Sequence, residues 1–115
     1  MKDDILLNKS MDFSVRIVNL HKYLSQEKKE NVLTKQLLRS GTSIGANVRE
    51  AVYAQSRKDF ISKMSIALKE ASETEYWLEL LNKTEYLTNE QYESIRMDCS
   101  EVAKLLTAIV KTSKE

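Results

Sequence analysis

One row of apolar and small residues in the second half of the chain constrains the fold most. Its members alternate steps of four and three over about three heptads, the spacing of a long helix packed at a shallow angle in a bundle. The chain has no proline and only two glycines in 115 residues, whereas a β-rich fold of this size needs more turn punctuation. The sequence therefore predicts an all-α fold. The row consists of Phe60, Met64, Ala67, Ala71, Thr74, Leu78 and Leu81.

Three more stretches repeat apolar residues with the helical period, which gives predicted helices at about 9–24, 32–54, 57–84 and 89–113. Ser56 with Asp59 and Thr88 with Gln91 have the spacing of capping boxes, so they mark the starts of the last two helices. Short connections make sequential helices antiparallel. We therefore predict one domain, residues 1–115, folded as an up-down-up-down four-helix bundle.

Four aromatic residues accompany these helices. Trp77 and Tyr76 lie beside the core row of the third helix, and Tyr53 and Tyr86 lie near helix ends. Packing against the edges of the bundle is one interpretation. An oligomer interface is the other, because Trp and Tyr provide a large contact area at a low cost in entropy.

Composition excludes several classes of protein. Cys99 is the only cysteine, so an intramolecular disulfide is impossible. The N-terminal stretch lacks the long apolar segment of a signal peptide, and no run approaches the roughly 20 apolar residues of a membrane span. We therefore expect a cytoplasmic protein without membrane contact.

Both glycines fall inside the run from Arg39 to Ala51, within an otherwise regular helical pattern. Each glycine costs roughly 0.5 to 1 kcal/mol relative to alanine in a helix interior, so a compensating role is expected. Close approach of a neighbouring helix, such as the region of Ala67 and Ala71, is one role. A phosphate-binding loop is the alternative, but the run has neither the P-loop nor the dinucleotide-binding spacing.

The same region is similar to a known family. QLLRSGTSIGANVREA (36–51) and DFISKMSIALKEASETEYWLELL (59–81) resemble the four-helix-bundle family named after proteins encoded in intervening sequences of bacterial 23S rRNA genes. The resemblance implies a four-helix bundle and ring-like homo-oligomers, often pentamers, and no settled molecular role. A related branch, the accessory proteins of diversity-generating retroelements, consists of basic pentamers that engage a reverse transcriptase and nucleic acid. The net charge of this chain, +1, departs from that branch.

The resemblance also draws attention to polar residues on the second and third helices. Ser40, Ser43, Asn47 and Glu50 share one helix face because they step by three, four and three. We predict a polar seam between helices or subunits that fixes register and oligomeric state once its groups are hydrogen-bonded. The candidate seam consists of Arg39, Ser40, Gly41, Ser43, Gly45, Asn47, Glu50, Glu70 and Glu73.

Catalytic chemistry finds little support in the residues. A di-iron bundle site needs Glu-x-x-His pairs, and His21, the only histidine, has no glutamate three residues before it. Cys99 lies on a core row, where a buried thiol is inert. Glu70 and Glu73 lack a nucleophile or oxyanion donor in the sequence pattern. We expect no enzyme, no metal, no cofactor and no small-molecule substrate.

Charge is unevenly distributed along the chain. Residues 28–69 hold nine basic side chains against three acidic ones, whereas residues 70–101 hold two basic against nine acidic ones. An up-down bundle places the end of helix two, the start of helix three and the end of helix four at one pole. The predicted basic pole consists of Arg49, Arg57, Lys58, Lys63, Lys111 and Lys114.

Such a pole, repeated in a ring of subunits, is suited to contacts with RNA or DNA phosphates. The sequence thus favours a non-enzymatic, oligomeric bundle that acts as a nucleic-acid-associated accessory or scaffold protein. The rival hypothesis is a protein-interaction module that uses a bundle face or the Tyr/Trp edge and binds no nucleic acid.

Overall fold

The computed structural model describes residues 2–115, with side chains from Asp4 onwards. Met1, the first residue of the predicted domain, lies outside the described residues. The described part contains four α-helices and no strand, which confirms the predicted all-α class. The helices are α1 (Lys2–Gln26), α2 (Leu33–Val52), α3 (Arg57–Lys83) and α4 (Asn89–Lys114).

Helix α1 begins at Lys2, well before the predicted start at residue 9. The extension continues the core row, because Leu6, Ser10, Phe13 and Ile17 are all buried and step by four, three and four. Ser10 occupies a core position with its hydroxyl donating to the carbonyl oxygen of Leu7 at 3.2 Å. The polar residue interrupted the apolar pattern, and the sequence prediction therefore stopped short.

Contacts between the helices run in opposite chain directions at every neighbouring pair, so the bundle is antiparallel and up-down-up-down as predicted. Its dimensions are 43 × 20 × 19 Å. Between α1 and α2, residue 10 contacts 45 and residue 17 contacts 41; between α2 and α3, residue 40 contacts 74 and residue 50 contacts 63. Between α3 and α4, residue 57 contacts 113 and residue 71 contacts 99; between α1 and α4, residue 9 contacts 101 and residue 16 contacts 98.

Side-chain caps fix where the later helices begin. The Ser56 hydroxyl accepts a hydrogen bond from the Asp59 amide at 3.0 Å, and Thr88 and Gln91 form a reciprocal capping box. Helix α2 begins differently. The carboxylate of Glu30, which is 7% exposed, accepts hydrogen bonds from the amides of Val32, Leu33 and Thr34.

The aromatic residues divide into two groups. Trp77 and Tyr86 are half-buried and pack against the common core, as predicted for residues at the edges of the bundle. Tyr53 and Tyr76 are 78% and 58% exposed, so the edge-packing interpretation is wrong for them. Tyr76 lies on the outer face of α3, and Tyr53 lies where α2 has already ended.

Candidate functional site

The candidate seam surrounds the middle of α2, whose two sides meet different helices. Gly41 and Gly45 face α1, whereas Arg39, Ser40 and Glu50 make their contacts with α3. The predicted set therefore comprises two separate contacts rather than one continuous strip.

The glycine side of α2 packs tightly on α1. A β-carbon at Gly41 would lie 2.8 Å from Cγ1 and from Cγ2 of Ile17, and one at Gly45 would lie 3.1 Å from the Ser14 hydroxyl oxygen. The predicted role in close packing is therefore right, but the proposed neighbour, the Ala67 and Ala71 region of α3, is wrong. The error arose because helical periodicity fixes which residues share a face and does not fix which neighbour that face meets.

The α3 side of α2 is held by a charged cluster. Arg39 donates to Glu70 at 3.2 Å and also pairs with Glu73, and the indole nitrogen of Trp77 donates to the same Glu73 oxygen at 2.9 Å. The Glu70 side chain is 16% exposed, whereas that of Arg39 is 50% exposed. The guanidinium therefore covers a carboxylate that is largely withdrawn from water.

Beneath this cluster lies a buried pair of hydroxyl groups. The hydroxyl oxygens of Thr74 and Ser40 are 3.0 Å apart, and that of Thr74 is 2.8 Å from the carbonyl oxygen of Glu70. Both residues are fully buried. Because a buried hydroxyl without a partner is costly, this contact favours one axial register of α2 against α3. The role of the seam in oligomeric state remains a prediction.

The remaining seam residues lie further along the same side. The Asn47 amide donates to the carbonyl and the hydroxyl oxygen of Ser43, at 2.9 and 3.0 Å, so this pair is satisfied within α2. Glu50 pairs with Lys63 of α3 at 3.4 Å. Lys63, predicted only as a phosphate-contacting cation, is thus partly neutralised by a seam residue.

The groups that could perform chemistry are separated or engaged elsewhere. Burial raises the pKa of the Cys99 thiol to about 12, and its sulfur contacts the Ala71 carbonyl oxygen at 3.6 Å. A ring nitrogen of His21 lies 3.1 Å from the Thr34 hydroxyl. Glu70 and Glu73 share Arg39. Among the described residues, no group of three His, Cys, Asp or Glu side chains is arranged to hold a metal ion.

The predicted basic pole is assembled at the end of the bundle where α2 ends, α3 begins and α4 ends. Arg57 donates to the carbonyl oxygen of Ser113 at 2.9 Å and so caps α4. Within the described part of the chain, the other four cations besides Lys63 are exposed and make no ion pair. These four, here called the free cations, are Arg49, Lys58, Lys111 and Lys114.

Acidic groups reduce the charge of this pole without cancelling it. Asp59 lies in the first turn of α3, where its negative charge interacts favourably with the positive end of the helix dipole. Asp4 of α1 and Glu115 lie at the same end of the bundle. Together with Glu50, they are fewer than the six cations. The pole therefore keeps a positive excess although the whole chain is nearly neutral.

Sequence reasoning missed the contacts that join α1 to α4. Arg16 donates to Asp98 at 2.7 Å and to the hydroxyl of Ser94 at 3.2 Å, and Lys9 pairs with Glu101. The hydrogen bond between Lys9 and Glu101 raises the pKa of Lys9. Beside these bridges lies a groove of about 480 Å³ between the two helices. The sequence does show basic residues at helical spacing on α1 and acidic residues at helical spacing on α4. Which of them pair depends on the contact between the first and the last helix, which the sequence pattern does not define.

None of the four helices in residues 2–115 is long and apolar enough to cross a membrane. The fold and its sites thus define a class: an all-α antiparallel four-helix bundle with a polar α2–α3 contact, a small-residue α1–α2 contact and a basic pole. The chain belongs to the family of the 23S rRNA-intervening sequence protein, whose model matches residues 2–108. The predicted family is thereby confirmed.

A solved structure agrees in detail. The 1.70 Å crystal structure of a protein of unknown function from the S23 ribosomal protein family of Bacteroides thetaiotaomicron VPI-5482 matches with a TM-score of 0.95. The two proteins are 66% identical, and the match covers 96% of this chain and 99% of the other. No curated protein matches the chain.

Proposed function

We propose that this chain is a non-enzymatic, self-associating cytoplasmic protein that binds the phosphates of RNA or DNA through its basic pole. The observation that supports this most is the grouping of four free cations at one end of a nearly neutral molecule. A near-neutral protein gains no long-range attraction from its net charge. Its binding to phosphates must therefore be local and sensitive to salt.

Self-association would make this local charge effective. The ring-like oligomers that the family resemblance implies would place one basic pole per subunit side by side, and phosphate contacts would multiply along a strand. Several exposed apolar side chains are available for subunit contacts, among them Met11 and Val15 on α1 and Ile66 on α3. Light scattering should give a multiple of 13.3 kDa, fivefold for a pentamer.

Charge reversal tests the proposal. Lys58→Glu combined with Lys111→Glu changes two free cations without removing the Arg57 cap of α4. The matched control, Lys28→Glu with Lys35→Glu, makes the same change in net charge at the opposite pole, where both lysines are exposed. We expect weaker binding of a nucleic-acid oligonucleotide for the first variant and little change for the control. Equal binding by the parent and the first variant would refute the basic pole as the binding surface.

The rival function, a protein-interaction module, is favoured by one observation. Tyr76 stacks edge-on against Trp77, with ring centroids 5.0 Å apart, yet remains 58% exposed. Such an aromatic edge suits a protein contact. A parent protein that binds no nucleic acid at low salt, while Tyr76→Ala weakens its self-association or its binding to another protein, would favour this rival.

A further inference from the structure

We propose that Tyr53 is a stacking platform for an unpaired base, so that the basic pole binds single-stranded nucleic acid in preference to a duplex. This inference rests on the proposed function and names the class of nucleic acid that the same site takes. The observation behind it is an exposed aromatic ring at the end of α2, which Arg49 precedes by one helical turn and Arg57 and Lys58 follow at the start of α3.

The backbone fixes Tyr53 at this position. It is the C-terminal cap of α2, and its amide donates to the carbonyl oxygen of Arg49 at 3.3 Å. Tyr53 and Arg49 are therefore separated by one helical turn, the spacing at which side chains are neighbours on a helix surface. Three residues after Tyr53, Ser56 caps α3, and Arg57 and Lys58 follow in the first turn.

The fold itself makes little use of the Tyr53 ring. It is 78% exposed, whereas Tyr86, which follows the end of α3, is half-buried and packs against the core. An exposed ring at a helix end adds little to stability, because it removes little apolar surface from water. Tyr53→Ala should therefore leave the folded state intact and report on binding alone.

The chemistry of a single strand fits this arrangement. Cations hold the phosphate backbone, and an aromatic ring beside them stacks on a base, whose flat face is accessible only when the base is unpaired. Stacking of this kind tolerates every base, so we expect no strong sequence preference. Phosphate contacts and base stacking do not involve the 2′-hydroxyl, so single-stranded RNA and DNA should bind with similar affinity.

The experiment compares the full-length parent, Tyr53→Ala, Tyr53→Phe and Tyr76→Ala. Each is titrated with single-stranded RNA and DNA oligonucleotides of about 16 nucleotides, and with the duplex of the same sequence. We expect Tyr53→Ala to lower single-strand affinity by roughly 5- to 150-fold, the range for losing one stacked base. Tyr53→Phe keeps the ring and should stay close to the parent. Tyr76→Ala is the matched control, because Tyr76 is an exposed tyrosine on the outer face of α3. Its single-strand affinity should also stay close to that of the parent.

Separate outcomes overturn the two proposals. Salt-sensitive binding that Tyr53→Ala leaves unchanged, or weakens equally for single strands and duplex, overturns the stacking role and leaves the basic pole standing. A change in the molecular mass of Tyr53→Ala by light scattering identifies Tyr53 as a subunit contact and also overturns stacking. A parent that binds neither form at low salt overturns the proposed function and this inference together.

Discussion

Gly41 packs so closely against Ile17 that a β-carbon on the glycine would lie 2.8 Å from two carbons of the isoleucine side chain. Ile17 is fully buried and β-branched, so its γ carbons cannot move aside by a simple change of rotamer. The glycine therefore sets the distance between α1 and α2. Its cost to helix propensity is offset by this close contact.

Gly41→Ala should accordingly destabilise the protein. Overpacking of a tight core contact costs about 1–3 kcal/mol, and most of this range exceeds the gain of roughly 0.5 to 1 kcal/mol in helix propensity. Urea unfolding measures the difference. Gly45→Ala is the milder comparison, because a β-carbon there would lie 3.1 Å from the Ser14 hydroxyl oxygen, which can rotate away, and 3.3 Å from the Ser10 carbonyl oxygen, whereas both distances at Gly41 are 2.8 Å. A Gly41→Ala variant more stable than Gly45→Ala would contradict the account of this contact.

Arg39→Ala should weaken the contact between α2 and α3. The substitution leaves the largely buried Glu70 carboxylate without its cation and releases Glu73, so we expect a loss of about 1–2 kcal/mol in unfolding free energy. Trp77, the only tryptophan, contacts Glu73 and reports unfolding by its fluorescence. Arg39→Lys should give an intermediate loss, because an ammonium group lacks the fork that reaches two carboxylates.

Arg96→Ala is the control for the Arg39 variant. Arg96 pairs with Glu93 along α4, and both side chains are largely exposed. This contact lowers the pKa of Glu93, but an exposed pair of this type is screened by solvent and adds little to the free energy of unfolding. Similar losses in the Arg39→Ala and Arg96→Ala variants would argue that the α2–α3 cluster has no special role.

Glu30→Ala should destabilise the start of α2. Its carboxylate accepts hydrogen bonds from three backbone amides, at 3.1, 3.0 and 2.8 Å, and the variant leaves these amides without that partner. We expect a loss of about 1–2 kcal/mol in unfolding free energy, as for other helix caps. Glu27→Ala, an exposed glutamate in the same connection, should have little effect. Equal stability of the two variants would show that the cap is dispensable.

Cys99 should make stability fall at alkaline pH. Burial raises the pKa of its thiol from an ordinary value of 9.0 to about 12, so between these values the unfolded state releases a proton that the folded state keeps. Stability from this group is complete below pH 9 and declines as pH rises. The parent should lose about 1 kcal/mol more than Cys99→Ala between pH 9 and 10. Parallel stability curves for the two proteins would contradict a buried thiol.

Much of the fold could be predicted from periodicity and caps. The rows that step by four and three identified the helices, and the polar residues Ser56 and Thr88 marked two of their starts. The early start of α1 was missed because Ser10 occupies a core position. The cap of α2 was missed because Glu30, whose carboxylate caps the helix, does not occupy the usual capping position. Lys29, the residue before it, has a left-handed backbone conformation with φ of 57°.

The candidate sites were less predictable, because they depend on which helices become neighbours. Ser40 and Glu70 were recognisable as residues near a helix contact, but Gly41 and Gly45 were assigned to the wrong partner. Tyr53 could not be recognised as exposed, since its place in the sequence also suits a residue that closes the bundle. Side-chain exposure at a helix end depends on the following turn, which periodicity does not describe.

The proposed function depends on binding of nucleic-acid phosphates by the basic pole. The most direct test is the affinity of the full-length parent for a single-stranded oligonucleotide across a salt series from about 50 to 200 mM. The logarithm of the binding constant should fall linearly with the logarithm of the salt concentration. Four free cations per subunit predict a slope of about −2 to −3, and an oligomer should give a steeper one. A binding constant that does not change with salt, or no binding at the lowest salt, would show that the basic pole does not bind nucleic-acid phosphates.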